Sequence, residues 1–490
     1  MNFRMIFNTL GKTSVALAGL LLLPMLTAII NHENCAWAFA ITIGIALVIG
    51  VVLLLVFRPK NKAFFSREGF VMVSLVWIYF SLVGALPFVI SGEIPNYIDA
   101  FFETVSGFTT TGASILTGAQ IEGMSKGLLF WRSFTHWIGG MGIIVFVMVF
   151  ATGSQDRSIH VLRAEMPGPT VDKFVPRARD TAKLLYLIYI GMTALVIVLL
   201  LFGGMTFFEA VVHAFGTAGT GGFGIKADSV ASYSPYCQWV ITIFMFLFGI
   251  NFNVYCLLVL RRFKMALSSQ EVKLYTGITL FTITAITINL LTTVAYAQNF
   301  GDALRYASFQ TIAFLTTTGF SNIPANTNIN LWPEFSKGLL LILMFVGGCA
   351  GSTGGGFKVS RVAMLGCAVK KEAKRLLRPR SANVVKFESK VLPDETLQSV
   401  CAYFVVYILV MVATFVVLCL DPNEGLDFTT NVTVALSCLN NIGPAYGKAV
   451  GGFYVYSQFS KVALSFVMLL GRLEIFPLLL LFSPSTWKKQ

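Results

Sequence analysis

The chain has 490 residues, of which 56% are hydrophobic and 12% are charged, and this is too apolar for an ordinary soluble protein of its length. Apolar runs of about 20 residues, enough for a helix that crosses a bilayer core, recur along the sequence. The formal net charge of +13 does not indicate nucleic-acid binding, because the basic residues follow the membrane topology described below. The composition therefore predicts a polytopic membrane protein.

Ten apolar segments are predicted to cross the membrane. They are residues 13–31, 36–57, 69–91, 128–150, 183–203, 238–260, 274–297, 336–358, 398–420 and 459–482. The first two form a hairpin, and no cleavable signal peptide is expected, because the first segment is long enough to span. The eight cysteines lie mostly in or beside apolar segments without a C-x-x-C spacing, so we interpret them as packing residues rather than disulfides or metal ligands.

The other eight spans flank four short segments that repeat one pattern. Phe102–Gly112 reads FETVSGFTTTG and Phe309–Gly319 reads FQTIAFLTTTG, while Val212–Gly222 and Thr433–Gly443 are more divergent copies. The predicted short helices are 98–108, 207–218, 304–315 and 429–439. These helices are too short to cross a membrane, and irregular backbone follows each of them. Irregular backbone at membrane depth is tolerated only where it is buried in protein or lines a water-filled cavity. We therefore predict four re-entrant loops that face one cavity.

The predicted fold is an all-α polytopic membrane protein. Four repeated M1–P-loop–M2 units surround a pseudo-four-fold pore, and an N-terminal two-helix transmembrane hairpin precedes them. The predicted boundaries are 1–65 for the hairpin and 66–160, 161–265, 266–390 and 391–490 for pore units 1 to 4. Unit 3 includes a broken inner helix and a basic cytoplasmic loop.

The basic residues predict the orientation of the chain. Both termini and the segments 58–67, 153–183, 261–273 and 358–390 hold 28 of the 36 lysines and arginines, so we place them in the cytoplasm. The four re-entrant loops then enter from outside, where acidic residues are more frequent, and this mildly negative mouth suits attraction of a cation. The basic run in 358–390 is interpreted equally well as a contact with anionic lipid and as a docking surface for a cytosolic partner.

The ends of the four short segments are typical of a cation pathway. Backbone carbonyls can replace the hydration shell of a cation, as in the Thr- and Gly-rich filters of potassium channels, and glycine permits backbone angles that turn carbonyls toward an axis. We predict a K+ site formed by Thr110, Thr111, Gly112, Thr220, Gly221, Gly222, Thr317, Thr318, Gly319, Asn441, Ile442 and Gly443. The alternative is four structural turns without an ion path.

The eighth span contains a glycine-rich stretch, FVGGCAGSTGGGF, that is predicted to break the helix near the middle of the membrane. Glycine lowers helix stability by about 1 kcal/mol relative to alanine. We predict a mobile constriction, or gate, at Gly347, Gly348, Gly351, Gly354, Gly355 and Gly356. Close helix packing through small residues is the alternative.

Arg472 falls within the tenth predicted span. A charge at the centre of a span costs about 2.5–3.5 kcal/mol on insertion scales and usually faces a cavity or a partner. Glu474 is two residues away and lies on another face of a helix, so it is not expected to pair with Arg472. We predict that Arg472 projects into the pore beneath the filter, where it opposes cations, and an ion pair with a neighbouring helix is the alternative.

These motifs together resemble those of the Trk/Ktr/HKT superfamily of potassium transporters. The residues that carry the resemblance are the loops FTTTGAS, GTGGFG, LTTTGFSN and NNIGPAYG, the break GGCAGSTGGGFK and the motif GRLEIFP. The resemblance covers essentially the whole chain, and the N-terminal hairpin is typical of the bacterial Trk branch rather than the Ktr branch. Some plant relatives that prefer sodium carry serine at the first filter glycine, so Gly112 favours potassium. The fourth filter departs from the pattern, because Asn440–Pro444 lacks threonine.

The resemblance implies a homodimer in the bacterial inner membrane, with one pore per protomer, both termini in the cytoplasm, an intramembrane gating loop at the glycine-rich break and a gating role for Arg472. It also implies a cytosolic regulator of the TrkA type that senses NAD(H), ATP or ADP, so that no nucleotide is expected to bind this chain itself.

The predicted function is a gated pore for potassium uptake that selects K+ and Rb+ over Na+ and Li+. The nearest alternative is a symporter that couples K+ to H+ or Na+, for which Glu474 is the candidate carboxylate within the spans. A membrane-embedded enzyme is not expected, because no paired carboxylates, histidine cluster or nucleophile–base spacing supports it.

Overall fold

A computed structural model describes residues 1–59, 66–142, 178–293, 299–324, 328–378, 384–388, 390–423 and 425–487. These residues are mainly helical. The strands in this part of the chain form one short antiparallel hairpin, in which β1 (Lys386–Phe387) pairs with β2 (Lys390–Val391). Residues 143–177 lie outside the described residues. They include the end of the fourth predicted span and most of the predicted cytoplasmic segment 153–183.

The helices follow one another in chain order. They are α1 (Phe3–Ile30), α2 (Ala36–Val56), α3 (Ser66–Gly84), α4 (Leu86–Ile90), α5 (Tyr97–Phe108), α6 (Gly118–Gly123), α7 (Lys126–Gly140), α8 (Ala178–Phe202), α9 (Phe207–Gly219), α10 (Pro235–Phe248), α11 (Phe252–Val259), α12 (Phe263–Ser268), α13 (Gln270–Thr292), α14 (Phe300–Leu315), α15 (Glu334–Val346), α16 (Val359–Leu377), α17 (Asp394–Cys419), α18 (Phe428–Asn440), α19 (Gln458–Arg472), α20 (Phe476–Phe482) and α21 (Pro484–Trp487).

Six helices of the described residues are long and apolar enough to cross a membrane, and α10 with α11 makes a seventh if this bent pair is one span. The six are Phe3–Ile30, Ala36–Val56, Glu68–Ile90, Ala182–Phe202, Gln270–Thr292 and Asp394–Cys419. The prediction of an all-α, multi-pass membrane protein is confirmed. The predicted unit boundaries remain predictions.

The N-terminal hairpin is held by close backbone contact and by a buried hydrogen bond. A Cβ added at Gly11 would lie 3.0 Å from the carbonyl oxygen of Gly50, so α1 and α2 approach closely where neither has a side chain. One turn away, the Ser14 hydroxyl donates to the carbonyl of Ala46 at 2.6 Å. The pair packs on the rest of the protein mainly through α1, which contacts α7 and α3.

Four short helices coincide with the four predicted short segments, and we call them the pore helices. They are α5, α9, α14 and α18. A side-chain oxygen caps the first turn of each one, from Asn96, Thr206, Asn299 and Asp427 respectively. Such caps satisfy backbone N–H groups that have no partner within the helix, and they fix where each helix begins. The last residues of all four helices and the first residues of α5, α9 and α18 agree with the prediction within one residue. Helix α14 begins four residues earlier than predicted.

Within the described residues, the sixth, eighth and tenth predicted spans are broken, and the helix of the fourth ends at Gly140. The eighth breaks as expected, because α15 ends at Val346 and α16 resumes at Val359. The prediction of a continuous sixth span at 238–260 is wrong, since α10 and α11 meet at an angle of 89°. The prediction of a continuous tenth span at 459–482 is also wrong, because Glu474 and Ile475 have left-handed φ values of 56° and 61° and separate α19 from α20.

Candidate functional site

Each pore helix runs into a short loop that ends in glycine, and all four loops have the same backbone conformation. We call residues 109–112, 219–222, 316–319 and 440–443 glycine loops 1 to 4. The residue two positions before the glycine is left-handed in every loop, with φ between 53° and 57° at Thr110, Thr220, Thr317 and Asn441. The glycines Gly112, Gly222, Gly319 and Gly443 have φ between 76° and 97°. Left-handed backbone is uncommon for residues other than glycine, so its recurrence at one position indicates a shared geometry.

The amide groups of the loops point back to their own pore helices. In each loop the residue before the glycine donates its N–H to the carbonyl five residues earlier, at 2.9–3.0 Å; the pairs are Thr111 with Ser106, Gly221 with Gly216, Thr318 with Ala313 and Ile442 with Ser437. In a trans peptide the N–H and the preceding C=O point in opposite directions. The carbonyls of the four left-handed residues are therefore directed away from the pore helices.

The four loops close into a ring through their glycines. A Cβ added to any of these glycines would collide with a carbonyl oxygen of the next loop, at the position just before that loop's own glycine. The contacts run from Gly112 to Gly221, from Gly222 to Thr318, from Gly319 to Ile442 and from Gly443 back to Thr111. The same pairing returns to its start after four steps, so the loops surround one axis with equivalent backbones.

The side chains behind this ring are not equivalent. Loops 1 and 3 contain threonine pairs whose hydroxyls are hydrogen-bonded, Thr109 to Thr111 at 2.7 Å and Thr316 to Thr318 at 2.8 Å. In loop 4 the Asn441 amide reaches across and donates to the Thr111 hydroxyl at 2.9 Å. The departure predicted for the fourth loop therefore lies in its side chains, whereas its backbone follows the other three.

The glycine-rich loop, residues 347–358, lies directly against glycine loops 3 and 4. The Gly355 N–H donates to the Thr317 hydroxyl at 2.6 Å. A Cβ added at Gly354 would lie 2.7 Å from the carbonyl oxygen of Thr316, and one added at Gly355 would collide with that of Asn440. Glycine is therefore required here for close approach. Of the other predicted gate residues, Gly347, Gly351 and Gly356 have left-handed φ values of 70–83°, and Gly348 packs near Gly249.

Contacts from two other helices hold the glycine-rich loop in place. Its backbone exchanges hydrogen bonds of 3.0 Å with the bend between α10 and α11, from Cys349 to Gly249 and from Phe252 to Gly351. The buried Glu271 carboxylate, in the first turn of α13, accepts the Ala350 N–H at 2.7 Å. Neither the bend nor the role of Glu271 was predicted from the sequence. An acidic residue next to an apolar span was the available signal for Glu271.

Arg472 lies between glycine loop 1 and the glycine-rich loop. Its guanidinium donates to the carbonyls of Gly139 at 2.6 Å and Gly140 at 2.9 Å, where α7 ends. It also donates to the Thr353 carbonyl at 2.9 Å and reaches the Thr110 hydroxyl at 3.4 Å. A cavity of about 50 Å³, which has room for a few water molecules, borders this guanidinium and the glycine-rich loop.

Glu474 does not pair with Arg472. Its carboxylate accepts from the Arg361 guanidinium at 2.5 Å, which links the α19–α20 break to α16. The expectation that Arg472 and Glu474 do not pair with each other is confirmed. Lys358, at the start of α16, donates to the carbonyl of Gly354 within the glycine-rich loop.

Some of the carboxylates expected to make the mouth negative are matched by nearby cations. Four of them form ion pairs of 2.5–2.8 Å: Asp99 with Lys461, Glu103 with Arg132, Asp302 with Arg305 and Glu334 with Lys337. Glu209 begins α9 in a capping box with Thr206. Burial alone would raise the pKa of Glu209, but hydrogen bonds from Thr206 and Tyr233 and the charge of Lys226 outweigh it, so that pKa is lowered.

Comparison with known proteins agrees with this architecture. A family model described as TrkH, cation transport protein, matches residues 37–489. The Trk system potassium uptake proteins TrkH of Salmonella typhimurium strain LT2 and of Escherichia coli strain K12 are each 36% identical to the chain, over 100% of both sequences. The crystal structure of the potassium transporter TrkH from Vibrio parahaemolyticus matches with a TM-score of 0.88 and 32% identity, again over 100% of both chains. The chain therefore belongs to the TrkH family of cation transport proteins.

Proposed function

We propose that this chain is the ion-conducting subunit of a potassium uptake system, with a K+ pathway through the ring of the four glycine loops. The ring carries the proposal, because four loops with one backbone conformation close on each other and direct carbonyls away from their pore helices. Carbonyls around an axis can replace the water shell of a cation. The relatives compared above are potassium uptake proteins, and this favours K+ as the transported ion.

The pore helices favour a cation at the ring. All four end at the glycine loops, so their C-terminal ends meet at one place. The C-terminal end of a helix carries a partial negative charge of about half an elementary charge. Four such ends lower the free energy of a cation at the ring and raise that of an anion.

The glycine-rich loop and Arg472 form the gate in this proposal. Both lie against the glycine loops, and together they contact loops 1, 3 and 4. A fixed positive charge at this depth opposes a cation that leaves the ring. In this proposal the conformation described here is the closed one, and opening requires that the glycine-rich loop give up its hydrogen bonds to Thr317, Glu271 and Arg472.

Passive uptake fits the contacts better than coupled symport. Glu474, the carboxylate that a symporter was expected to use, is engaged by Arg361 at 2.5 Å and is part of the structure around the gate. One charge that moves through 100 mV releases about 2.3 kcal/mol, so a negative interior can drive K+ accumulation without a second ion.

We extend the proposal to the membrane, the oligomeric state and the cytosolic partner of the chain. The basic helix α16 has exposed lysines and arginines toward its end, which suit anionic lipid or a cytosolic partner. We place the chain in a bacterial inner membrane, with both termini cytoplasmic, as a homodimer. A nucleotide-binding regulator that resembles TrkA would act from the cytosol.

Flux into liposomes that contain only this protein tests the proposed function. K+ and Rb+ are expected to enter well above Na+ and Li+ when a voltage is applied without a pH gradient. Flux that requires a pH or Na+ gradient would favour the symporter instead. Equal flux of all four cations would contradict a selective pore.

Replacement of Glu271 by alanine is expected to raise K+ flux by about tenfold, because it removes the acceptor that holds the Ala350 N–H and so weakens the closed position. A hydrogen bond to a charged group is worth about 1.5–3 kcal/mol, which is enough for this shift. Glu395→Ala is the matched control, since Glu395 is an exposed acid in the first turn of α17. Equal flux from both variants in folded protein would show that Glu271 does not hold the gate.

A further inference from the structure

We propose that Glu103 and Arg132 are positioning residues that set the K+ selectivity of the pore, an inference that depends on the function proposed above. The two side chains are buried and form an ion pair of 2.5 Å between pore helix α5 and α7. Neither belongs to a glycine loop. Each holds the segment that follows one of these loops, so together they link loops 1 and 2 from behind.

Glu103 holds the segment after loop 1. One carboxylate oxygen accepts the Ile115 N–H at 3.0 Å, and the other accepts the Ser114 hydroxyl at 3.0 Å as well as the Arg132 guanidinium. Ser114 and Ile115 follow Gly112 by two and three residues. The position of Gly112 within the ring therefore depends on a carboxylate that lies outside the glycine loops.

Arg132 holds the segment after loop 2. Its Nη1 donates to the carbonyl of Gly224 at 2.9 Å, two residues beyond Gly222. Its guanidinium lies 3.7 Å from the centre of the Phe223 ring, and Phe223 follows Gly222 directly. Because Gly112 packs on the carbonyl of Gly221, the pair fixes both partners of one of the four contacts that close the ring.

The equivalent positions of the other pore helices show what this side chain does. Gln310 occupies the position of Glu103 in the third repeat, and its amide reaches Ser321 at 3.4 Å and Asn322 at 3.1 Å, the equivalents of Ser114 and Ile115. His213 occupies it in the second repeat and stacks on Phe320, next to Gly319. Val434 occupies it in the fourth and is buried.

The side chain at the position of Glu103 therefore supports the ring from behind, and its chemistry differs in each repeat. It is charged in the first, an imidazole in the second, an amide in the third and apolar in the fourth. A buried ion pair keeps its geometry strictly, since a charge without its partner is costly to bury. Loops 1 and 2 are thus the part of the ring with the most rigid support. Rigidity matters for selectivity, because a flexible ring would contract around Na+ and bind it as readily as K+.

The test compares the K+ to Na+ permeability ratio of liposomes that contain wild-type, Glu103→Gln or Arg132→Lys protein. Glu103→Gln keeps an acceptor but removes the charge, and Arg132→Lys keeps the charge but removes the contacts to Gly224 and Phe223. Asp394→Asn is the matched control, because Asp394 also forms an ion pair between two helices, 2.5 Å from Lys371 of α16, and is not one of the carboxylates of the outer mouth. Both test variants are expected to lower the ratio by about tenfold, the effect of a lost charge-assisted hydrogen bond.

The outcomes separate the possibilities. A merely structural role would lower the number of active molecules and therefore the total flux, but not the ratio. An unchanged ratio in both test variants, or an equal fall with Asp394→Asn, would overturn the proposal. If Glu103→Gln fails to fold, Arg132→Lys decides the question. Wild-type protein without K+ selectivity would instead overturn the proposed function.

Discussion

Replacement of Arg472 by alanine is expected to raise K+ flux by about tenfold or more in liposomes that contain only this protein. The arginine donates to Gly139, Gly140 and Thr353, so its loss releases the glycine-rich loop from the end of α7. It also removes a positive charge next to the ring. Two like charges 4 Å apart repel by about 4 kcal/mol at an effective dielectric constant of 20. The loss of this repulsion between the arginine and a cation alone favours a higher flux.

Two variants control the Arg472 experiment. Arg472→Lys keeps the charge but cannot donate to all these carbonyls, and an intermediate flux is expected. Arg375→Ala removes an exposed arginine near the end of α16 and is expected to leave flux unchanged. Unchanged or lower flux from folded Arg472→Ala protein would show that Arg472 does not block the pore.

Replacement of Gly112 by serine is expected to lower the K+ to Na+ permeability ratio by about tenfold or more. Gly112 has a φ of 76°, which L side chains rarely adopt, and a Cβ at this position would collide with the carbonyl oxygen of Gly221. The substitution therefore displaces two neighbouring loops of the ring at once. Measurement of reversal potentials in mixed K+ and Na+ gradients gives the ratio.

Gly123→Ser is the control for this substitution, because a Cβ at Gly123 meets no atom within 4 Å. Its ratio is expected to equal that of the wild type. If Gly112→Ser protein folds and keeps the wild-type ratio, then Gly112 does not shape the ion path.

The glycine loops could be predicted from the sequence because they repeat. The pattern of an apolar helix, small residues and a glycine occurs four times, and the matching φ values at Thr110, Thr220, Thr317 and Asn441 show that the backbone repeats even where the side chains differ. The break of the eighth span was predictable for a local reason, since six glycines in ten residues disfavour a helix.

Other features depend on contacts between distant parts of the chain. The bend at 249–251 interrupts an apolar run, and it is stabilised by hydrogen bonds from the glycine-rich loop about 100 residues later. Periodicity within α10 and α11 does not contain that information. The predicted orientation places Glu103 among the acidic residues of the outer mouth, whereas the structure buries it in an ion pair with Arg132. Charged residues within apolar segments were the signal, but their partners follow only from the fold.

X-ray diffraction at the rubidium absorption edge, from crystals of the protein grown in RbCl, tests the central claim most directly. Rb+ is close to K+ in size and has a strong anomalous signal. We predict an anomalous peak on the axis of the ring, next to the carbonyl oxygens of Thr110, Thr220, Thr317 and Asn441. A ring without a peak, with rubidium bound only elsewhere, would contradict the claim that these four loops form the cation pathway.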